Sequence, residues 1–151
     1  MKTFLTFIFC LLTFCVHAQP AFEGNYPASQ PLAEYFNAET GNRNKSLIYI
    51  FYNNEGICDK CAQTIELTEQ IFNQFYNGIY NLFVINYAED NEYNFAAAYQ
   101  LYEPLAIVLV KISNGEQIGY EKIANPQQML IIGYDYTKFL TRKINNFLGE
   151  D

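Results

Sequence analysis

The chain has one histidine, His17, and four cysteines, and both shortages tighten once its first residues are read for processing. Lys2 followed by an apolar run from Phe4 to Val16, then Val16-His17-Ala18 with small residues at −3 and −1, has the three parts of a secretory signal. Residues 1–18 are therefore expected to leave, and the mature chain to start at Gln19. Phe14 is too large for the position before a lipid-modified cysteine, so Cys10 and Cys15 are expected to leave with the signal. What remains has no histidine and two thiols, Cys58 and Cys61. A Ser-His or Cys-His catalytic pair and an imidazole zinc site are then excluded.

Long hydrophobic runs are also missing. After the signal nothing approaches membrane-spanning length, so no membrane association is expected after processing. Basic residues are scarce: 9 Lys and Arg face 16 Asp and Glu, and the formal net charge of −7 becomes one unit more negative without Lys2. Such a chain lacks the clustered cations that nucleic acid or an anionic lipid surface requires. No internal repeat, phosphate-binding glycine loop, paired-carboxylate motif or acyl-transfer nucleophile is present.

Residues 19–45 carry Pro20, Pro27 and Pro31 among scattered apolar residues and read as a leader or linker, with a helical turn around Leu32, Tyr35 and Phe36 packing onto the domain. Residues 46–149 read as that one domain. SLIYIFY at 46–52 is a strand covered on both faces, 53–56 a turn, and 58–76 a helix with Ala62, Ile65, Ile71, Phe72 and Phe75 inward. NLFVINY at 81–87 is a second apolar strand. Asp90 caps a helix over 90–102 whose inner stripe is Phe95, Tyr99 and Tyr102. LAIVLVKI at 105–112, the turn Ser113-Asn114-Gly115 and 116–123 form a hairpin, Asn125-Pro126 breaks the chain, and a stretch around 129–133 has no assignable element. Asp135 caps a last helix with Tyr136, Phe139, Leu140, Ile144, Phe147 and Leu148 inward. This order predicts an α/β fold: a mixed central sheet, helices on both faces, and a C-terminal hairpin and helix.

Cys58-Asp59-Lys60-Cys61 directly follows the first strand and opens the first long helix. Unpaired amides and the positive dipole end there would stabilise a thiolate on Cys58, and Cys61 is close enough to close a disulfide. Asp59 disfavours that thiolate and Lys60 favours it. The expected division is attack by an exposed Cys58 and resolution by a more buried Cys61. A purely structural disulfide is the plainer alternative, although a four-residue loop is worth only about 2 kcal/mol in the loop-entropy model. Two thiolates could also hold a soft metal or metalloid, whereas zinc would need further ligands.

Across residues 46–148 the chain resembles the thioredoxin superfamily, through SLIYIFY, CDKC, NLFVINY, and Tyr99-Gln100-Leu101-Tyr102 leading into LAIVLVK and a glycine-containing hairpin. CDKCAQTIE with YQLY and VLVK is similar to a small bacterial family of thioredoxin-fold proteins named as subunits of a nitrophenyl-compound nitroreductase and found with arsenic-resistance genes. The resemblance implies a thioredoxin-like fold and a thiol-disulfide exchange site with neighbours Tyr52, Ile57, Asp59, Lys60, Pro104 and Leu105. It also marks departures. Ile57 stands where the family has Trp, Asp59-Lys60 where it has Gly-Pro, and Tyr52 where it has a buried Asp. Leu105 occupies the cis-proline slot with Pro104 one residue early, so either the strand starts one residue sooner or that proline is missing. Tyr102, Glu55 and Glu103 would also border the dithiol.

The resulting expectation is a periplasmic or secreted monomer that exchanges disulfides with protein thiols or disulfides and uses neither organic cofactor nor resident metal. A non-catalytic module binding a soft metal or metalloid, and an adapter with a structural disulfide, stay open beside it.

Overall fold

A computed structural model describes residues 44–55, 58–89 and 94–149. The signal, residues 19–43 with Leu32, Tyr35 and Phe36, and the positions Ile57 and Asp90 lie outside the described residues. The elements run β1 (Leu47–Tyr52), α1 (Cys61–Phe75), β2 (Asn81–Asn86), α2 (Phe95–Ala98), β3 (Leu105–Ser113), β4 (Glu116–Ala124), α3 (Gln128–Ile131) and α4 (Tyr136–Leu148). They form an α/β fold around one four-stranded mixed sheet of order β2-β1-β3-β4.

β1 is central because every one of its first five residues is buried, which needs a strand on each side and cover on each face. It pairs parallel with β2, Tyr52 opposite Asn86, and antiparallel with β3, Tyr52 opposite Leu105. The period of two sends Leu47, Tyr49 and Phe51 to one face, against Phe95, Tyr99 and Leu101. Ile48 goes to the other, against Ile71 and Phe72 of α1 and Leu140 and Ile144 of α4. Helices cover both faces, but unequally: among the described residues α1, α3 and α4 share one, and only the single turn of α2 lies on the other. Aromatic rings fill the thinner side. Tyr49, Phe51, Phe95 and Tyr99 stack with centroids 5.1 to 6.2 Å apart.

Several elements differ from the sequence reading. α1 begins at Cys61 rather than 58, because Lys60 takes a left-handed φ of 70° that cannot continue a helix. Its buried face is Thr64, Thr68, Ile71 and Phe72; Ala62 is exposed, Ile65 half-buried and Phe75 exposed. The two threonines can be inside because each hydroxyl donates to a carbonyl four residues back, Thr64 to Lys60 and Thr68 to Thr64, both at 2.7 Å. Of the helix expected over 90–102, the described residues show only α2. Asn94 and Gln100 have φ of 50° and 52°, and the Leu101 N–H returns to the Ala96 carbonyl, so Leu101 turns inward and Tyr102 is 81% exposed. β2 is an edge strand among the described residues and mostly half-buried.

The hairpin follows expectation, with Asn114 and Gly115 both at positive φ, the backbone a tight antiparallel turn demands. β4 runs one residue further than expected, to Ala124. The unassigned stretch forms α3. The Asp135 carboxylate accepts the Lys138 N–H at 3.0 Å and caps α4, whose inner residues are Tyr136, Leu140, Ile144 and Leu148, with Phe139 and Phe147 packed half-buried beside them.

Candidate functional site

Cys58 and Cys61 form a disulfide with Cα atoms 5.6 Å apart, within the ordinary span for such a bond. It closes at the carboxyl end of the parallel pair β1 and β2, where open α/β sheets leave their ends free for ligands. Tyr52 ends β1, half-buried, and its carbonyl accepts the Tyr87 N–H at 3.0 Å. The next residue is tied across the sheet: the Asn53 N–H donates to the Pro104 carbonyl at 3.0 Å. The Asn53 side chain accepts the Glu55 N–H at 2.8 Å, and Asn54 Nδ2 donates to Glu89 at 3.1 Å. Three connections thus anchor the approach to the dithiol to β3 and to the loop after β2. The sequence marked these asparagines only as turn formers.

Cys58, Asp59 and Lys60 form a turn ahead of the helix, and Cys61 is its first residue. The Thr64 N–H reaches the Lys60 carbonyl at 2.8 Å, but no side chain caps the end and no acidic residue lies in the first turn. The positive end of the dipole is therefore not neutralised from within the helix. Lys60 and Asp59 are exposed, and the Lys60 ammonium donates to Gln63 Oε1 at 3.0 Å. Both cysteines are half-buried, so the expected contrast between an exposed Cys58 and a buried Cys61 is absent in the closed disulfide.

β3 starts at Leu105, which is fully buried, and Pro104 lies just ahead of the strand. Among the described residues no peptide bond is cis, so the cis-proline expected from the resemblance has no counterpart at Pro104. Tyr52, Pro104 and Leu105 do gather at this end of the sheet, through the Tyr52–Leu105 pairing and the Asn53–Pro104 bond.

Glu103 is already engaged. Its carboxylate accepts from Lys122 Nζ and from the Tyr102 N–H, both at 3.1 Å. Partial burial pushes its pKa up, but the backbone N–H groups of Tyr102 and Glu103 and the Lys122 ammonium outweigh that and hold it below the ordinary value. An ionised carboxylate held this way is a latch rather than a proton shuttle. Lys122 also donates to the Gln100 carbonyl at 2.6 Å and lies 5.8 Å from the Tyr102 ring centre. The latch closes the strained turn at Gln100 onto β4. Sequence reading missed it because β4 registers Lys122 beside this turn only after the hairpin folds.

A cleft of about 420 Å³ lies at the other end of the sheet, lined by Lys45, Ser46, Ile79 and Lys111 among others, and shares no residue with the dithiol. Among the described residues no group of three or more His, Cys, Asp or Glu is placed to hold a metal ion, and no helix is long and apolar enough to cross a membrane. Compared with protein-family models the chain matches none, and comparison with curated proteins likewise finds no match.

Proposed function

We propose that the protein is an exported thiol-disulfide oxidoreductase of thioredoxin-like fold, working in the periplasm or outside the cell on protein thiols and disulfides. One observation carries the reading: the disulfide closes between the end of the central strand and the uncapped first turn of α1. A sulfur released there as thiolate meets the positive end of a helix, which makes it both a better leaving group and a stable nucleophile. The element order through β4 and the last helix agrees with the thioredoxin core that the sequence resembles.

In the oxidising direction a partner thiolate attacks the Cys58 sulfur, the S–S bond breaks, and the electron pair leaves on Cys61. A second partner thiolate then attacks the mixed disulfide and releases Cys58, so the partner loses two electrons and this protein gains them. In the reducing direction the Cys58 thiolate attacks a partner disulfide, and Cys61 closes on Cys58 to expel the partner's second thiolate.

Trapping tests this. The Cys61→Ala variant should accumulate a mixed disulfide between Cys58 and partner proteins that reductant releases, and Cys58→Ser should abolish it. Absence of any adduct, with wild-type function kept in a Cys58→Ser/Cys61→Ser double variant, would leave the disulfide as a structural bridge.

A further inference from the structure

We propose that the open edge of β2 is a self-association surface, on which β2 pairs antiparallel with β2 of a second copy to make a two-fold dimer, in place of the monomer expected from sequence. Among the described residues the strand order leaves two edges, β2 and β4. They are treated differently. β4 carries Glu116, Glu121 and Lys122, and its pairing with β3 slips at Lys111 and Ile112, all devices that discourage edge-to-edge pairing. β2 has no charge, no proline and an unbroken register with β1. An edge of that kind is a template for another strand.

The outward groups can be named from the ladder. Asn81 donates its N–H to the Ser46 carbonyl and Tyr87 donates to Tyr52, so the period of two turns Phe83 and Ile85 toward β1 as well. The backbone groups of Leu82, Val84 and Asn86 then face away, with no strand opposite them among the described residues. Under a two-fold axis at Val84 these three positions match themselves: Val84 meets Val84, and Leu82 meets Asn86, with each pair exchanging both backbone bonds.

Charge selects a second copy as the occupant. Between Glu69 and Glu89 the sequence has no charged residue, in a chain with a formal charge of −7. Two identical acidic molecules repel over most approaches, and this strip lets them meet without opposing carboxylates. The strand and the turn ahead of it are also unusually apolar for surface: Ile79 is 55% and Val84 39% exposed, and Leu82 is only half-buried.

Sedimentation and light scattering of the oxidised protein across concentration test the dimer, with non-reducing electrophoresis excluding a disulfide-linked one. Val84→Lys, which places two ammonium groups at the axis, should raise the dissociation constant at least about tenfold, because like charges directly opposite destabilise a strand pair. Val84→Thr and, on the other edge, Ile118→Lys should leave it unchanged. Should Val84→Lys fail to fold, hydrogen exchange of the wild type decides: protection of the Leu82, Val84 and Asn86 amides should grow with protein concentration. A monomer at every concentration, protection independent of concentration because the chain's own leader covers the edge, or a dimer that survives a folded Val84→Lys would each overturn the proposal.

Discussion

The hydroxyls of Thr68 and Tyr136 are hydrogen-bonded at 2.7 Å in the core, joining α1 to the start of α4. Thr68 is 1% and Tyr136 4% exposed, so neither oxygen can turn to water if its partner is lost. Thr68→Val should cost about 1 to 3 kcal/mol, because it strands the buried Tyr136 hydroxyl, and Tyr136→Phe less, about 1 kcal/mol, because the Thr68 hydroxyl keeps its bond to the Thr64 carbonyl. The double variant should cost less than the two singles added, since it strands nothing. Urea unfolding of all four proteins measures the coupling.

Tyr136 also sets an alkaline limit. Burial raises its pKa from 10.0 to about 12, and burial raises that of Tyr99 further. The native state holds both phenols neutral, while the unfolded chain ionises them near their ordinary value. Stability from this source is complete below about pH 10 and falls as pH rises from there toward 12, because the unfolded state releases protons first. Thermal melts from pH 8 to 12 should show a decline in that window. Tyr136→Phe should make it shallower and leave the share that Tyr99 contributes, and stability lost at pH 6 to 8 instead would contradict the assignment.

The Glu103–Lys122 latch has the opposite sign. A lowered carboxylate pKa gives stability present above the unfolded value of 4.5 and lost as pH falls through the native one, since the unfolded chain takes up the proton first. Both side chains keep some exposure, so Glu103→Gln should cost about 1 kcal/mol at pH 7 and progressively less as pH falls below 4.5. Disulfide exchange at pH 7 should fall by no more than about twofold, the stability loss being small beside the fold's total. A hundredfold fall would instead assign Glu103 a proton-transfer role at the dithiol.

Much of this fold was legible because its strands are dense apolar runs, and because α4 combines an Asp135 cap with inward residues at helical spacing. The failures have three physical roots. Thr64 and Thr68 count as polar in any hydropathy pattern, yet a hydroxyl that returns to the preceding turn arrives in the core already satisfied. Left-handed backbone at Lys60 and Asn94 starts helices later, and at Gln100 stops one earlier, than side-chain spacing indicates. β2 and β1 look alike as sequence, and only tertiary pairing makes one the edge and the other the centre. At the site, the dithiol, Tyr52 and Leu105 were readable by position. The Asn53–Pro104 tie and the Lys122 latch were not, because both join residues far apart in the chain.

Reduction offers a test of what the disulfide contributes. Its loop is four residues long, so opening it should cost about 2 kcal/mol and no more. Melting with and without dithiothreitol should show that loss, and the Cys58→Ser/Cys61→Ser variant should melt like the reduced protein. A much larger loss would assign the bond a structural role.

Lys60 separates this turn from the Gly-Pro pair of the family it resembles. Its φ of 70° suits glycine and carries a Cβ penalty, while proline is confined near −65°. Lys60→Gly should therefore stabilise the oxidised protein by up to about 1 kcal/mol, since the exposed Lys60–Gln63 bond it removes is worth little. Lys60→Pro forces the turn to rearrange and should cost about 3 kcal/mol or more if α1 keeps its start at Cys61. The pair of variants, compared by melting temperature in the oxidised state, has a clear opposite outcome. Should proline be tolerated as well as glycine, the backbone at position 60 is helical in solution, and the dithiol turn is that of the family after all.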